Sequence, residues 1–229
     1  IATIFVNPTQ FNNSTDLDEY PRTLDSDLET LQNAGAVAAF VPDVAQMYPN
    51  GLEVNPPMEP GAIGDVLEGQ ARPGHFRGML TVVHRLLSIT QANYSFFGEK
   101  DFQQLTLVKA MVAHTKMPIE IVGVPTVRDE FGLALSSRNR RLSMQGLERA
   151  RLIPAAMKKA TEVFSSGGLV TEAEIAGRKI LETDSHIEIE YFEIRSNDLV
   201  SQPAPNNARV FVAVTIEDVR LIDNLEIAK

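Results

Sequence analysis

The feature that most constrains this chain is an alternation. Short apolar, β-branched runs at residues 1–6, 37–41, 94–97 and 119–122 are separated by longer stretches whose apolar residues recur at helical spacing. A run with strand length and a stripe with a period near 3.6 belong to different elements, so the pattern predicts strand–helix units feeding a parallel sheet. One helix is expected over Leu24–Asn33, with Leu24, Leu28 and Leu31 on one face and Gly35 just past its end. A second is expected over residues 78–90 on the spacing of Leu80, Val83 and Leu87. A third starts near Phe102, carries Leu105, Val108 and Val112, and is closed by Pro118.

After Val127 the pattern changes. Ser143 reads as the N-cap of one long helix running to Phe164, ended by Ser165-Ser166-Gly167-Gly168, and a further helix is expected over residues 171–181. Alternating segments at 187–194 and 210–216, with a short strand at 219–222, then predict a small α+β domain. Pro203-Ala204-Pro205-Asn206-Asn207 is a loop between its strands. The expectation is an α/β protein: a Rossmann-like parallel-sheet domain over residues 1–127, then a smaller α+β domain over 128–229.

Composition narrows the function classes. A net charge of −9 disfavours a broad nucleic-acid grip, which needs clustered Lys and Arg, yet leaves room for a small anionic substrate in a local basic pocket. With no Cys, the chain has neither a disulfide framework nor a thiolate metal site, and a cytoplasmic protein is expected. The apolar runs are far shorter than a membrane span, so no membrane partner is expected. The opening run has no basic stretch before it and no small-residue cleavage site after it, and reads as a buried strand.

Strand ends direct attention to two loops, because ligands of open α/β sheets sit beyond the carboxyl ends of the strands. The first, Asn7-Pro8-Thr9-Gln10, offers two amides suited to a substrate with hydroxyls and a carboxylate; the same residues also make a simple turn. The second, Phe97-Gly98-Glu99-Lys100-Asp101, leads into a helix N-terminus, which favours anions. Gly98 permits close backbone approach, Lys100 can neutralise phosphate oxygens, and Asp101 can either accept from ribose hydroxyls or cap the helix. Lys100 is out of place near a helix N-terminus unless an anion accompanies it. Gln104 lies one turn on. Leu135-Ser136-Ser137-Arg138-Asn139 sets two hydroxyls beside a guanidinium, a phosphate-wrapping combination that is equally at home on a solvated loop.

Glu68, Arg72 and His75 lie in a polar loop that either borders a site or is plain surface. His84, His114 and His186 lack metal-ligand spacing. Asp16-Leu17-Asp18-Glu19, Asp25 and Asp27 read as a solvated helix entry, with one carboxylate available for magnesium. There is neither a Walker motif nor G-x-G-x-x-G.

Taken together, Phe5-Val6-Asn7-Pro8-Thr9-Gln10-Phe11, Phe97-Gly98-Glu99-Lys100-Asp101 and Leu135-Ser136-Ser137-Arg138-Asn139 resemble the pantothenate synthetase family. Tyr20-Pro21-Arg22-Thr23, Met47-Tyr48-Pro49, Arg72-Pro73-Gly74-His75-Phe76, Pro125-Thr126-Val127-Arg128 and Leu221-Ile222-Asp223-Asn224 extend the resemblance over nearly the whole chain. That family belongs to the HIGH/KMSKS nucleotidyltransferase superfamily and joins D-pantoate to β-alanine using ATP and magnesium. The resemblance implies that Gln10 and Gln104 hold pantoate, with Asn7 close by. It implies that Gly98, Glu99, Lys100, Asp101, Val127, Leu135, Ser136, Ser137 and Arg138 contact ATP. Among these, Lys100, Ser136, Ser137 and Arg138 would act in catalysis, and Asp27 matches a magnesium-associated position. It further implies a homodimer. The family's HxGH motif, on a helix after its first strand, has no counterpart in these residues. Ile1 matches the strand after that helix. The expectation is an enzyme whose sequence extends upstream of Ile1, with residues 1–229 alone unable to form AMP. The second reading is a dimeric scaffold that binds pantoate or nucleotide without turnover.

Overall fold

The computed structural model describes residues 1–10 and 23–227. The acidic run 16–19, Phe11 and Tyr20-Pro21-Arg22 lie outside the described residues. The chain divides into two compact units, Ile1–Ser95 with Leu107–Val122, and Phe96–Thr106 with Gly123–Lys229. The second unit thus starts near the expected boundary but also takes in the turn at Glu99–Asp101 and the start of the helix behind it.

In the first unit, β1 (Ala2–Thr3) pairs in parallel with β2 (Ala39–Phe40), setting Ala2 opposite Ala39 and Thr3 opposite Phe40. The opening strand is therefore shorter than the apolar run predicts. It is also not buried: Ile1 is 77% exposed, and no residue of β1 is in the core. Among the described residues only β2 hydrogen-bonds to it. Helix α1 (Leu24–Asn33) has the expected bounds, with Asp25 and Asp27 in its first turn, where the helix dipole favours carboxylates. Its apolar stripe is not enclosed either, as α1 has no buried residue. Helix α2 (Val44–Met47) forms despite its length because Asp43 and Gln46 make a reciprocal capping box.

The polar loop at residues 67–76 contains a short helix, α3 (Glu68–Ala71), and α4 (His75–Thr90) begins three residues before the predicted start. Buried Phe76, Met79, Leu80, Val83 and Leu87 form the inner face of α4. Strand β3 (Tyr94–Gly98) pairs with β4 (Glu120–Val124), and α5 (Phe102–Thr115) connects them. Leu107, Val108, Met111 and Val112 of α5 are buried.

In the second unit, β5 (Glu188–Arg195), β6 (Arg209–Ile216) and β7 (Val219–Glu226) form an antiparallel sheet in chain order. The expected long helix is two: α6 (Met144–Ala150), capped by the Ser143 hydroxyl, and α7 (Leu152–Ser165). Pro154 explains the break. It has no N–H to give to the carbonyl of Ala150, four residues back, and its ring crowds that carbonyl. At position three of α7 the missing donor costs nothing. Helix α8 (Val170–Leu181) packs on α7 and on β5. Ile153, Met157, Phe192, Val210, Val212, Val214 and Ile216 centre the core. Full burial of each such side chain stabilises by roughly 1.5–3 kcal/mol. Among the described residues, no helix is long and apolar enough to cross a membrane.

Candidate active site

Strand β3 delivers the chain to Gly98, where a 3-10 turn, Glu99–Asp101, opens into α5. A Cβ placed on Gly98 would meet nothing within 4 Å, so the backbone there faces open space. Glu99, Lys100 and Gln104 are half-buried, while Asp101 is exposed. The turn is held from one side by Asn224 of β7, whose Nδ2 donates to the carbonyls of Glu99 (2.9 Å) and Lys100 (2.8 Å).

A hairpin brings the next two candidate stretches together. Leu135 N–H donates to the Val127 carbonyl (2.9 Å), and Arg128 bridges to Ala134. Its tip is closed by Asp129, whose Oδ1 accepts from the N–H groups of Phe131 (2.9 Å) and Leu133 (2.8 Å). Gly132 takes the left-handed φ of +84° that the turn requires. Val127 and Leu135 thereby lie side by side, 65% and 54% exposed. Ser136 follows, and its Oγ accepts from Arg138 N–H (3.2 Å), capping the 3-10 helix Ser137–Arg141. The Ser136 hydroxyl proton remains available to a ligand. Asn139 donates to the Ala134 carbonyl (2.9 Å), and Arg138 Nη1 lies 3.5 Å from the Arg220 carbonyl.

The base of this hairpin is fixed by charge. Arg128 donates to both carboxylate oxygens of Asp223 (2.7 and 3.0 Å), to the Gly132 carbonyl (2.9 Å) and to the Asn224 carbonyl (2.9 Å). Asp223 is buried, and burial raises its carboxyl pKa despite the opposing pull of Arg128. Buried Arg209 donates from Nη1 to Asn224 Oδ1 (2.5 Å), and its guanidinium carbon lies 3.9 Å from the Phe102 ring centroid. One pair of adjacent residues on β7 therefore touches both candidate nucleotide loops.

The first unit contains the other candidates. Asn7 is buried, and its Oδ1 accepts from Tyr48 Oη (2.6 Å), Thr9 Oγ1 (3.1 Å) and Thr9 N–H (3.3 Å), while Nδ2 donates to the Gly78 carbonyl (3.3 Å). Burial raises the Tyr48 pKa. A Cβ on Gly78 would sit 2.4 Å from the Thr9 carbonyl, so only glycine lets α4 approach this turn so closely. The amide of Asn7 thus serves the turn itself. Gln10 ends the 3-10 helix Pro8–Gln10, and its side chain lies outside the described atoms. Asp27 Oδ1 accepts from Thr23 Oγ1 (3.1 Å) at the start of α1. Glu68, Arg72 and His75 come together: Arg72 Nη1 lies 3.5 Å from Glu68 Oε2 and 3.3 Å from His75 Nε2. Among the described residues, no three His, Asp or Glu side chains converge as a metal cage.

The family model for pantoate–β-alanine ligase matches residues 1–226. The chain belongs to that family. Pantothenate synthetase from Nocardia farcinica is 46% identical over 99% of this chain and 70% of its own length. The enzyme from Cereibacter sphaeroides is 43% identical over 99% of this chain and 81% of its own. A crystal structure of pantothenate synthetase from Thermus thermophilus matches with a TM-score of 0.93 at 42% identity, covering 100% of this chain and 83% of that one. The ligase from Francisella tularensis, complexed with β,γ ATP and β-alanine, matches with a TM-score of 0.80 at 37% identity, covering 97% of this chain and 77% of that one.

Sequence reasoning assigned no part in this ligase to Arg128, Arg209, Asp223 or Asn224. A signal existed for the last two: a carboxylate and an amide interrupt the apolar Leu221, Ile222 and Leu225 on a strand whose Val219 and Leu221 are in the core. Polar groups in such positions need partners.

Proposed function

We propose that the enzyme carries out the ATP-dependent condensation of D-pantoate with β-alanine through a pantoyl adenylate, releasing AMP and pyrophosphate. The supporting observation is that the Glu99–Asp101 turn, which carries Lys100, and the Val127–Leu135 hairpin, which leads into Ser136, Ser137 and Arg138, are tied to adjacent residues of one strand. Catalysis of this kind asks for positioned charge and no covalent enzyme intermediate.

In the first step a pantoate carboxylate oxygen attacks the α-phosphorus of ATP, and the bond to the β-phosphate oxygen breaks. Lys100 and Arg138 offset the charge that builds on the phosphate oxygens, and the Ser136 and Ser137 hydroxyls donate to them. The N-terminus of α5, entered through Gly98, Glu99 and Asp101, adds the field of its free N–H groups. Val127 and Leu135 cover the nucleotide with apolar surface. Gln10 and Gln104 hold pantoate, and Asn7 keeps the first of these loops in shape. In the second step the neutral amine of β-alanine attacks the acyl carbon, the bond to the AMP oxygen breaks, and the amine proton is given up. Magnesium would be held by the nucleotide phosphates with one or two protein carboxylates, Asp27 being the candidate on this chain, and would offset charge on the phosphate oxygens. Residues 1–127 form the substrate-binding domain and 128–229 the lid; the enzyme is a cytoplasmic homodimer that binds no nucleic acid.

The test is ATP–pyrophosphate exchange in the presence of pantoate and the absence of β-alanine. Lys100→Ala is expected to slow exchange by about 100-fold or more, the usual cost of removing a group that stabilises developing charge. Exchange within threefold of the parent would remove Lys100 from the reaction.

A further inference from the structure

We propose that Asn224 is a positioning residue for the adenylation step: its amide clamps the backbone on both sides of Lys100 and so aims the lysine. This rests on the assignment of Lys100 to the ATP phosphates. The Glu99–Asp101 turn connects a strand to a helix and is a single 3-10 turn, whose own hydrogen bonds have poorer geometry than those of an α-helix, so contacts from outside the turn fix its position. Asn224 Nδ2 carries two hydrogens and gives one to each of the Glu99 and Lys100 carbonyls.

The orientation of that amide is determined by its surroundings. Arg209 has only donors, and Nη1 meets Asn224 at 2.5 Å, so the atom facing it must be the oxygen. The nitrogen is then left facing the two carbonyls, which only accept. Arg209 is itself held, lying over Phe102, the first residue of α5, with Nη2 3.6 Å from Glu226 Oε2 and 3.9 Å from Glu99 Oε2. Next door, Asp223 grips Arg128 at the base of the hairpin that aligns Val127 with Leu135. Asn224 thus passes the fixed position of β7 to one loop while its neighbour passes it to the other. Misplacement of a catalytic group by about 1 Å can cost on the order of 100-fold.

Asn224→Asp separates positioning from stability. An aspartate keeps the acceptor for Arg209 and strengthens that contact, but it loses both donors and turns a carboxylate toward two carbonyl oxygens. In the full-length protein, we expect ATP–pyrophosphate exchange to fall at least tenfold with a raised KM for ATP. The KM for β-alanine should stay within twofold, and the thermal midpoint within a few degrees. Smaller loss of exchange, or equal loss of affinity for both substrates, overturns the proposal. Should the aspartate lower the thermal midpoint, Asn224→Ala is read by the same split between the two KM values. Lys100→Ala is run alongside: if it leaves exchange unchanged, the assignment of Lys100 has failed, whereas a damaging Lys100→Ala with a silent Asn224→Asp sinks the clamp alone.

Discussion

The two units solve one problem with different chemistry. Each must hold an irregular loop at the end of a strand. The first unit does it with neutral groups: Asn7, Thr9 and Tyr48 share hydrogen bonds around one buried amide, and α4 closes on the turn through Gly78. The second does it with charge, pairing Arg128 with Asp223 and Arg209 with Asn224 on a strand at the edge of a three-stranded sheet. The packing beneath differs too. Strand β6 is buried at nearly every position, whereas β1 and α1 of the first unit contain no buried residue. A neutral clamp tolerates loss of one partner better, because what remains is an unpaired dipole and not an unpaired charge.

That contrast can be broken most directly at Asp223. Asp223→Ala leaves the Arg128 guanidinium without its bidentate partner, and breaking such a pair costs about 3 kcal/mol or more. Arg128 is 24% exposed and keeps its two carbonyl partners, which holds the estimate at the lower end. Denaturant unfolding is the measurement, and a loss below that of Asn7→Ala would reverse the comparison. Asn7→Ala comes next. It strips the acceptor from Tyr48 Oη and Thr9 and the donor from the Gly78 carbonyl, at a cost of roughly 1–3 kcal/mol. Tyr48→Phe in the same background should then cost little more, since the hydroxyl has already lost its shortest bond; a full additive penalty would show that the two side chains act independently.

How much of this was legible beforehand depended on the range of the interaction involved. Local rules placed α1 correctly and put β5 and β6 within a residue of their observed ends. The break before α7 was equally local, since Pro154 stands in the sequence; only the continuous apolar stripe on either side concealed it. The loops at Asn7 and at residues 98–101 were legible as strand ends. Their fastenings were not. Asn7 meets Tyr48 and Gly78, and Asn224 meets Glu99 and Lys100, and no periodicity encodes partners so far apart. The apolar run at residues 1–6 shows the limit of hydropathy for strand length: only Ala2 and Thr3 pair as β1, with Ala39 and Phe40.

The smallest expected effect separates buried charge from rim charge within the second unit. Glu217 and Asp218 form the two-residue turn between β6 and β7, with φ of +52° and +62°, values that favour Gly or Asn. The glutamate is retained there because its carboxylate accepts from Ser143 N–H (2.8 Å) and Oγ (2.6 Å) at the head of α6. Arg149 joins it at 3.4 Å and reaches Asp184 at 3.2 Å. The Ser143 bonds pull the Glu217 pKa down, and bonds from His186 do the same for Asp184. A depressed folded-state pKa means stability that is fully present above the ordinary carboxylate value and lost as the pH falls through the depressed one. These two contacts should therefore weaken in acid, while the Asn7 turn, built on groups that do not titrate there, contributes nothing to that slope. Thermal midpoints measured between pH 7 and pH 3 provide the check. Glu217→Gln should flatten the acid limb while lowering the neutral-pH midpoint only slightly, since the contact is partly exposed. An unchanged acid limb would mean that the charge at this turn is incidental and that the amide serves α6 equally well.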